Sequence, residues 1–297
     1  MSRPSRLGRL VAFVGIVLTI VAGAAIAGAV LSPPAPTFGE TEGYEYDVET
    51  LQTEIAPAEG EVDVDVHVDG VLLIDDAHRN RFEPEELRAL TAAATEAGFE
   101  IRYMDSTADV ESELDRADAF VVVDPATEYD NETADAVEEF VEDDGRLLVL
   151  AEPNRGDVVQ VDLLAAEVVT VRSETTALAS RFGISFGSEY LYNVAENDGN
   201  HQNVYATPTE ETAFDRDVDR TVLSTATHVE ARNGTPLLTT VEGTQRSGTR
   251  TEAEYAVAVR DGNVLAVSDT TFLEPDRHVV ADNEKFVAEI VEFLAGG

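Results

Sequence analysis

Carboxylates that follow apolar runs are the residues of this chain best suited to bind a ligand. Asp75 and Asp76 follow residues 71–74 (VLLI), and Asp124 follows residues 119–123 (AFVVV). Because the carboxyl ends of parallel strands meet at one edge of a sheet, these side chains can converge there as a metal site, since hard cations prefer oxygen ligands. The competing interpretation, which we favour, is that acids are simply common in this chain and at the ends of strands.

A second polar pair belongs to the same predicted edge. Ser268 and Asp269 follow the apolar residues 264–267 and complete the candidate ligand-binding set. Open parallel sheets bind ligands at their carboxyl edge, which is the functional interpretation. The structural interpretation is that Asp269 caps the turn after it and that Asn283 hydrogen-bonds its own loop.

Most groups that hydrolytic and transfer enzymes require are missing. The chain has no cysteine, which excludes a thiol nucleophile, and its five histidines have no HxxxH or HxH spacing. A phosphoacceptor would need a hydroxyl where Ala151 and Glu152 stand and a lysine near the sheet, but the single lysine is Lys285. We therefore expect no cofactor and no enzyme, neither a cysteine amidotransferase nor a serine hydrolase. The alternative is a divalent-metal-dependent hydrolase or transferase that uses the edge carboxylates.

The acid excess is spread along the chain. Asp and Glu number 59 against 20 Lys and Arg, which gives a formal net charge of -39. The acids share segments with regular apolar spacing, so they predict solvated faces rather than a disordered tail. Such a surface suits a medium of about 1 M salt, where charges are screened within about 3 Å, and is typical of halophilic archaea. It also disfavours binding to nucleic acid.

Residues 10–31 form an uncharged apolar stretch near the N-terminus. A helix of that length spans about 30 Å, the thickness of the hydrocarbon core of a bilayer. Arg3, Arg6 and Arg9 precede it, and the next basic residue is Arg79. The positive-inside rule then places residues 1–9 in the cytoplasm and the main domain outside the cell. The alternative is a cleaved signal peptide, because small residues recur at 25–29, but the stretch is longer than a signal peptide needs.

After the anchor the chain divides into a linker and one domain. Residues 32–69 predict an extracytoplasmic stalk, although the alternation at residues 62–69 fits a half-exposed edge strand equally well. Over residues 70–297, apolar runs alternate with amphipathic helical patterns, which predicts an α/β domain with a doubly wound, mostly parallel sheet. The strands expected are 71–74, 101–104, 119–123, 147–151, 221–223, 236–241, 255–259 and 264–267.

Helices and loops fill the intervals between those strands. One helix carries its apolar stripe at residues 87–97, and a second begins at Asp130 or Asn131. Residues 175–182 predict a further helix, residues 183–187 an extended segment, and residues 188–220 a long polar surface excursion. A last amphipathic helix begins after Asp282 as its cap, with the stripe Phe286, Ile290, Phe293 and Leu294.

Two sequons lie on the proposed outer side. Asn131-Glu132-Thr133 and Asn233-Gly234-Thr235 both match N-x-[ST], so Asn131 and Asn233 are candidates for N-glycosylation. The structural interpretation is that Asn131 serves only to cap a helix.

Four segments carry a resemblance to a known family. They read LLIDDAH (72–78), LLVLAEP (147–153), ALASRFGISFGSEYLYN (177–193) and SDTTFLEPDRHVVADNEKFVAEIVEFL (268–294). Together they resemble the domain-of-unknown-function family 4350 of membrane-anchored prokaryotic proteins, which implies a class I glutamine amidotransferase-like fold, akin to flavodoxin-like sheets.

The resemblance also carries an expectation about function. The resemblance implies an association with a MoxR-type ATPase, as in haloarchaeal members of the family, and thus membrane-complex protein partners and a role in assembly or maturation of a membrane-associated complex. We therefore expect a single-pass, extracytoplasmic, non-catalytic interaction module.

Overall fold

The computed structural model describes residues 62–296, apart from 163, 164, 211, 213 and 215. The predicted membrane helix at residues 10–31 and most of the predicted stalk lie outside these residues. Among the helices that are described, none is both long and apolar enough to cross a bilayer.

The described residues form strands and helices in alternation through the first half. In chain order these are β1 (Gly70–Asp75), α1 (Arg88–Glu96), β2 (Phe99–Met104), α2 (Val110–Leu114), β3 (Ala119–Val123), α3 (Asn131–Glu142), β4 (Arg146–Leu150), β5 (Arg155–Asp162) and β6 (Ala165–Val171). The second half is richer in strands. It contains α4 (Thr176–Ala179), a 3-10 turn (Ser180–Phe182), β7 (Ile184–Phe186), β8 (Leu191–Tyr192), β9 (Asn203–Pro208), β10 (Thr221–Ser224), β11 (Val229–Ala231), β12 (Thr235–Thr240), β13 (Gln245–Arg246), β14 (Ala256–Asp261), β15 (Val264–Val267), a 3-10 turn (Thr271–Leu273) and α5 (Asn283–Leu294).

Nine strands form the central sheet, in the order β10-β9-β12-β14-β15-β4-β3-β1-β2. The five strands from β15 to β2 are parallel, whereas β14, β12, β9 and β10 are joined by antiparallel pairs. The predicted α/β class is therefore confirmed, and its parallel part covers five of the nine strands. The antiparallel extension was not predicted.

Four of the five parallel strands are largely buried on both faces, whereas the edge strand β2 is partly exposed. In β3, Val121 and Val123 belong to the apolar cluster that contains α1 and α5, whereas Phe120 and Val122 belong to the cluster that contains α2 and α3. Alternate residues of a strand point to opposite faces, which explains why this strand is apolar throughout. Helices thus cover both faces of the parallel half, as in a doubly wound sheet.

The predicted helix caps have mixed outcomes. Asp130, rather than Asn131, caps α3, because its side chain accepts a hydrogen bond from the backbone N–H of Thr133 at 2.8 Å. The helix α5 begins directly after Asp282 as predicted, but the Asp282 side chain accepts no capping hydrogen bond from the backbone of that helix, because its own backbone (φ -103°, ψ 25°) is not the extended one a cap uses. Its contact with α5 is an ion pair with the Lys285 side chain at 2.7 Å. Asp282 also accepts from the backbone N–H groups of Asp219 and Arg220, each at 3.0 Å.

The predicted surface excursion at residues 188–220 is wrong in part. Within it, β9 lies inside the central sheet, between β10 and β12. Val204 and Ala206 are buried there, while Asn203 and Tyr205 are partly exposed. Only two residues of this strand are buried apolar ones, and polar residues flank the short run on both sides, which is too short a pattern to distinguish the strand from a loop.

Residues 62–69 are neither a paired strand nor a free linker. Val62 is buried, and Val64, Val66 and Val68 pack against the same core cluster as α1 and α5. The alternation therefore reflects packing of every second residue, without a strand partner. Arg216 fastens this segment by donating to the carbonyl oxygen of Asp63 at 2.6 Å.

Candidate functional site

The carboxyl edge of the parallel strands gathers buried polar residues. Asp75 ends β1, Asp124 follows β3, Glu152 follows β4, and Ser268 and Asp269 follow β15. Each of the five is at most 8% exposed. Burying so many ionisable groups is costly unless each has partners, so the partners decide what this edge can do.

The Asp75 carboxylate is surrounded by hydrogen-bond donors from the two loops that follow β1 and β3. His78 Nδ1 lies 2.9 Å and 3.0 Å from the two carboxylate oxygens, the Tyr129 hydroxyl donates to Oδ2, and the backbone N–H of Ala77 donates to Oδ1 at 3.1 Å. The rings of His78 and Tyr129 stack with centroids 3.6 Å apart. Burial, followed by the charge of Asp75 and the bond to it, raises the pKa of Tyr129 well above its usual value, which keeps the phenol a donor.

Asp124 is held by two arginines. Arg81 lies 3.0 Å from Oδ1 and Arg155 lies 3.4 Å from Oδ2. The backbone N–H of Arg81 also donates to the carbonyl oxygen of Asp124 at 3.1 Å, and the backbone of Asp124 has a positive φ of 37°. The two cations offset the burial of this carboxylate and fix the loop that follows β1 to the end of β3.

Glu152 and Asp269 form an acidic pair. The backbone N–H and hydroxyl of Thr270 donate to Glu152 Oε1 at 2.8 Å and 2.7 Å. Burial and then the charge of Asp269 raise the pKa of Glu152 to about 8, despite these bonds. Burial raises the pKa of Asp269 to about 6, against the opposing effect of its bonds to Thr271 and Ser224. Glu152 can therefore carry a proton at neutral pH.

Asp269 has the structural role that we expected for this turn. Asp269 Oδ1 accepts from the backbone N–H and hydroxyl of Thr271 at 2.9 Å and 2.7 Å, and Oδ2 accepts from the backbone N–H of Ser224 at 2.8 Å. The Ser268 hydroxyl donates to the carbonyl oxygen of Thr227. The predicted bond of Asn283 to its own loop is also confirmed, because its Nδ2 donates to the carbonyl oxygen of Arg277 at 3.0 Å. The same nitrogen donates to the carbonyl oxygen of Val222 in β10 at 3.0 Å, a bond that was not predicted.

Asp76 does not join this set. It is exposed, and its charge, after burial, contributes to raising the pKa of Tyr103 on β2. Of the three carboxylates predicted to converge, Asp75 and Asp124 are thus held in separate networks and Asp76 faces solvent. Across the described ranges, no three His, Cys, Asp or Glu side chains are grouped so that they could hold a metal ion.

Several residues of the edge were not predicted as part of a site. Glu152 carries the same signal as the other acids, since it stands just after a buried strand. Arg81 and Tyr129 carry no such signal, because their partners are 43 and 54 residues away along the chain. The sequence therefore locates the acids of this edge better than the groups that hold them.

One serine requires a correction to the exclusion of serine hydrolases. Residues 183–187 (GISFG) do have the G-x-S-x-G spacing of a nucleophile elbow, so the sequence alone does not exclude that chemistry. Ser185, however, lies in the middle of β7, opposite Glu230 of the antiparallel strand β11. An elbow needs a sharp turn from strand to helix, which this serine does not occupy.

The two sequon asparagines are both exposed, in different surroundings. Asn131 is the first residue of α3, and Asn233 lies in the turn between β11 and β12.

Comparison with known proteins gives the fold alone. No family model and no curated protein matches the chain. The chain is similar to the mmIFT52 N-terminal domain, at 9% identity and a TM-score of 0.60, over 76% of this chain and 98% of that one. It is less similar to a beta-galactosidase from Rahnella sp. R3, at 12% identity and a TM-score of 0.47, over 77% of this chain and 31% of that one. The glutaminase domain of Trypanosoma brucei CTPS, with bound acivicin, aligns at 9% identity and a TM-score of 0.38, over 75% and 93%.

Proposed function

We propose that the chain is a membrane-anchored, extracytoplasmic interaction module without catalytic activity. The observation that carries this proposal is the internal saturation of three of the four buried edge carboxylates. Asp75 is held by an imidazole and a phenol, Asp124 by two arginines, and Asp269 by two backbone N–H groups and a hydroxyl. Acids that are occupied in this way hold loops together and leave few lone pairs for a substrate or a metal.

The location rests on the N-terminal sequence. The uncharged residues 10–31, with basic residues on one side only, support a signal anchor with the domain outside the cell. The resemblance to the domain-of-unknown-function family 4350 supports the same location and suggests a membrane-protein complex as the partner.

The hairpin formed by β5 and β6 is the surface that best fits a protein partner. It follows β4 at the carboxyl edge, and within the described ranges its two strands pair only with each other. Val168, which stands opposite Val158 in the register, is 72% exposed. An isolated hairpin is only marginally stable in water, and open strand edges beside exposed apolar residues favour docking of another protein. We propose that the partner binds this hairpin.

A comparison of two exposed valines tests this proposal. Full-length protein, tagged at its C-terminus, would be isolated from its native membrane as wild type, Val168→Asp and Val194→Asp. Val194 is 75% exposed and follows β8, which pairs with β13 and with neither hairpin strand, so it is a matched control. We expect the same partner proteins with the wild type and with V194D, and their loss with V168D.

The opposite pattern would contradict the proposal. Loss of the partner proteins in V194D but not in V168D would show that the partner binds near Val194 and not at the hairpin. A purified wild-type protein that hydrolyses an ester, phosphoester or glycoside, and loses that activity in Asp124→Asn, would replace the interaction module by the hydrolase alternative.

A further inference from the structure

We propose that Asn233 carries an N-linked glycan and that Asn131, in the other sequon, does not. This inference rests on the proposed extracytoplasmic location, because N-glycans are added outside the cytoplasm. It goes beyond that location in choosing one acceptor and in fixing the order of events, with transfer following folding. The choice depends on the access that the folded domain gives to each asparagine and to the hydroxyl two residues later.

Asn233 is presented by a surface turn. Its side chain is exposed and makes no hydrogen bond with any described residue. Gly234 follows it in the turn. This position requires glycine, because a Cβ there would lie 2.7 Å from the side chain of Val259 and 2.8 Å from that of Ala231, which is too close. Thr235, the first residue of β12, remains partly exposed. Both side chains that define the sequon can therefore be reached from solvent.

Asn131 is exposed as well, but the threonine of its sequon is buried. Thr133 is only 2% exposed, because it is turned into the core by the first turn of α3. The Asn131 side-chain oxygen accepts a hydrogen bond from Arg181 at 3.4 Å, and Asp130 fixes the backbone of the same turn. A transferase that must contact the threonine hydroxyl cannot reach it without unfolding the start of this helix.

The modification is a glycosyl transfer with no change in oxidation state. The Asn233 side-chain nitrogen attacks the anomeric carbon of a lipid-linked oligosaccharide phosphate or pyrophosphate. A carbon–nitrogen bond forms, and the bond from that carbon to the phosphate oxygen breaks. The lipid phosphate leaves with the electron pair, and the nitrogen releases one proton to a base of the transferase.

The test is a set of variants of the full chain, expressed in the cell from which the gene comes. Intact mass and glycopeptide mapping would be compared for the wild type, Asn233→Gln, Thr235→Ala, Thr235→Ser and Asn131→Gln. We expect a glycan mass on the wild type, T235S and N131Q, and complete loss in N233Q and T235A. The rescue by T235S separates a need for the hydroxyl from a general effect of substitution.

A reporter sequon distinguishes failure of this inference from failure of the proposed location. Gln202→Thr, placed in the N131Q N233Q double variant, creates an acceptor at the exposed Asn200. A glycan on this reporter, with none on Asn233 in the wild type, overturns the inference while supporting the location. A glycan on Asn131 also overturns it. If neither the reporter nor Asn233 is modified, the domain does not meet the transferase, and the proposed location fails together with the inference.

Discussion

Asp75 and Glu152 are buried at the same edge of the sheet but have different neighbours. The Asp75 carboxylate accepts hydrogen bonds from an imidazole, a phenol and a backbone N–H, so its two oxygens are surrounded by donors. Glu152 receives two bonds from Thr270 and lies near Asp269, whose charge opposes its ionisation. A carboxylate surrounded by donors locks loops together, whereas one beside another acid becomes sensitive to pH. The edge therefore combines a structural network around Asp75, which we call the lock, with a pair of acids, Glu152 and Asp269, that titrates near neutral pH.

The largest effect is expected from removal of the lock. Asp75→Ala would leave the imidazole of His78 and the phenol of Tyr129 buried without their acceptor, which typically costs about 3 kcal/mol of the free energy of unfolding. Chemical denaturation in high salt would measure the loss. Asp76→Ala, the exposed neighbour, is the control and should change stability by less than about 0.5 kcal/mol. Equal losses in the two variants would mean that the network around Asp75 adds nothing.

The titrating pair should give the molecule a pH-dependent stability. The folded-state pKa of Glu152, about 8, is above its usual 4.5, so its contribution is complete below about 4.5 and is lost as pH rises through about 8. Asp269 acts in the same direction at lower pH, since its pKa is raised to about 6. We expect the wild type to lose on the order of 2 kcal/mol between pH 6 and pH 9, and Glu152→Gln to lose far less.

Thermal or chemical unfolding at several pH values would measure this difference. Glu174→Gln is a suitable control, because that glutamate lies outside the buried acidic pair. A wild type whose stability rises from pH 6 to pH 9 would contradict the raised pKa of Glu152, and a pH profile shared by E152Q would assign the loss to another group.

A smaller effect should separate the two arginines that hold Asp124. The Arg81 side chain is 25% exposed and lies 3.0 Å from Asp124, while Arg155 is 44% exposed at 3.4 Å. Solvent screens the second pair more strongly. We expect Arg81→Ala to lower the free energy of unfolding by about 1–2 kcal/mol and Arg155→Ala by less than about 0.5 kcal/mol. The reverse order would show that the β5 arginine, at the base of the hairpin, is the main partner of Asp124.

The smallest effect is expected in metal titration. Because the edge carboxylates are separately engaged, calorimetric titration of Mg²⁺, Mn²⁺ and Ca²⁺ in high salt should give the same small heats for the wild type and for the Asp76→Ala Asp124→Ala double variant. Saturable binding by the wild type alone would favour the metal-dependent alternative and would show that Asp76, Asp124 or both are metal ligands.

The parallel half of the fold could be predicted because its strands are locally unambiguous. Residues 119–123 and 264–267 are continuous apolar runs, and both are strands with those bounds. The acids after them could also be located, since a strand end fixes where the next side chain lies. In the antiparallel half, three predicted strands (221–223, 236–241 and 255–259) correspond to β10, β12 and β14. The strand β9 and the antiparallel pairing could not be predicted, because β9 has a short alternation inside a polar segment and its place in the sheet depends on pairing with distant strands.

Side-chain partnerships were harder to predict than positions. The bond between Asp75 and Tyr129 joins residues 54 apart, and only the fold brings them together. Ser185 gives the converse case, because its local spacing fits a catalytic elbow but its strand conformation does not. Local pattern indicates where an element runs, whereas burial and partner geometry decide what a polar residue does.

The segment at residues 62–69 has a consequence for how this domain can be combined with others. This segment is held against α5 by hydrogen bonds. Glu292, which lies in α5, accepts from the side chain of Arg216 at 2.7 Å and from the backbone N–H of Asp65 at 3.4 Å. The first and last described segments of the domain therefore meet at one place on its surface. Adjacent ends are the geometry that tolerates circular permutation and insertion into a surface loop of a host protein, so the fold is suited to serve as a transferable cassette.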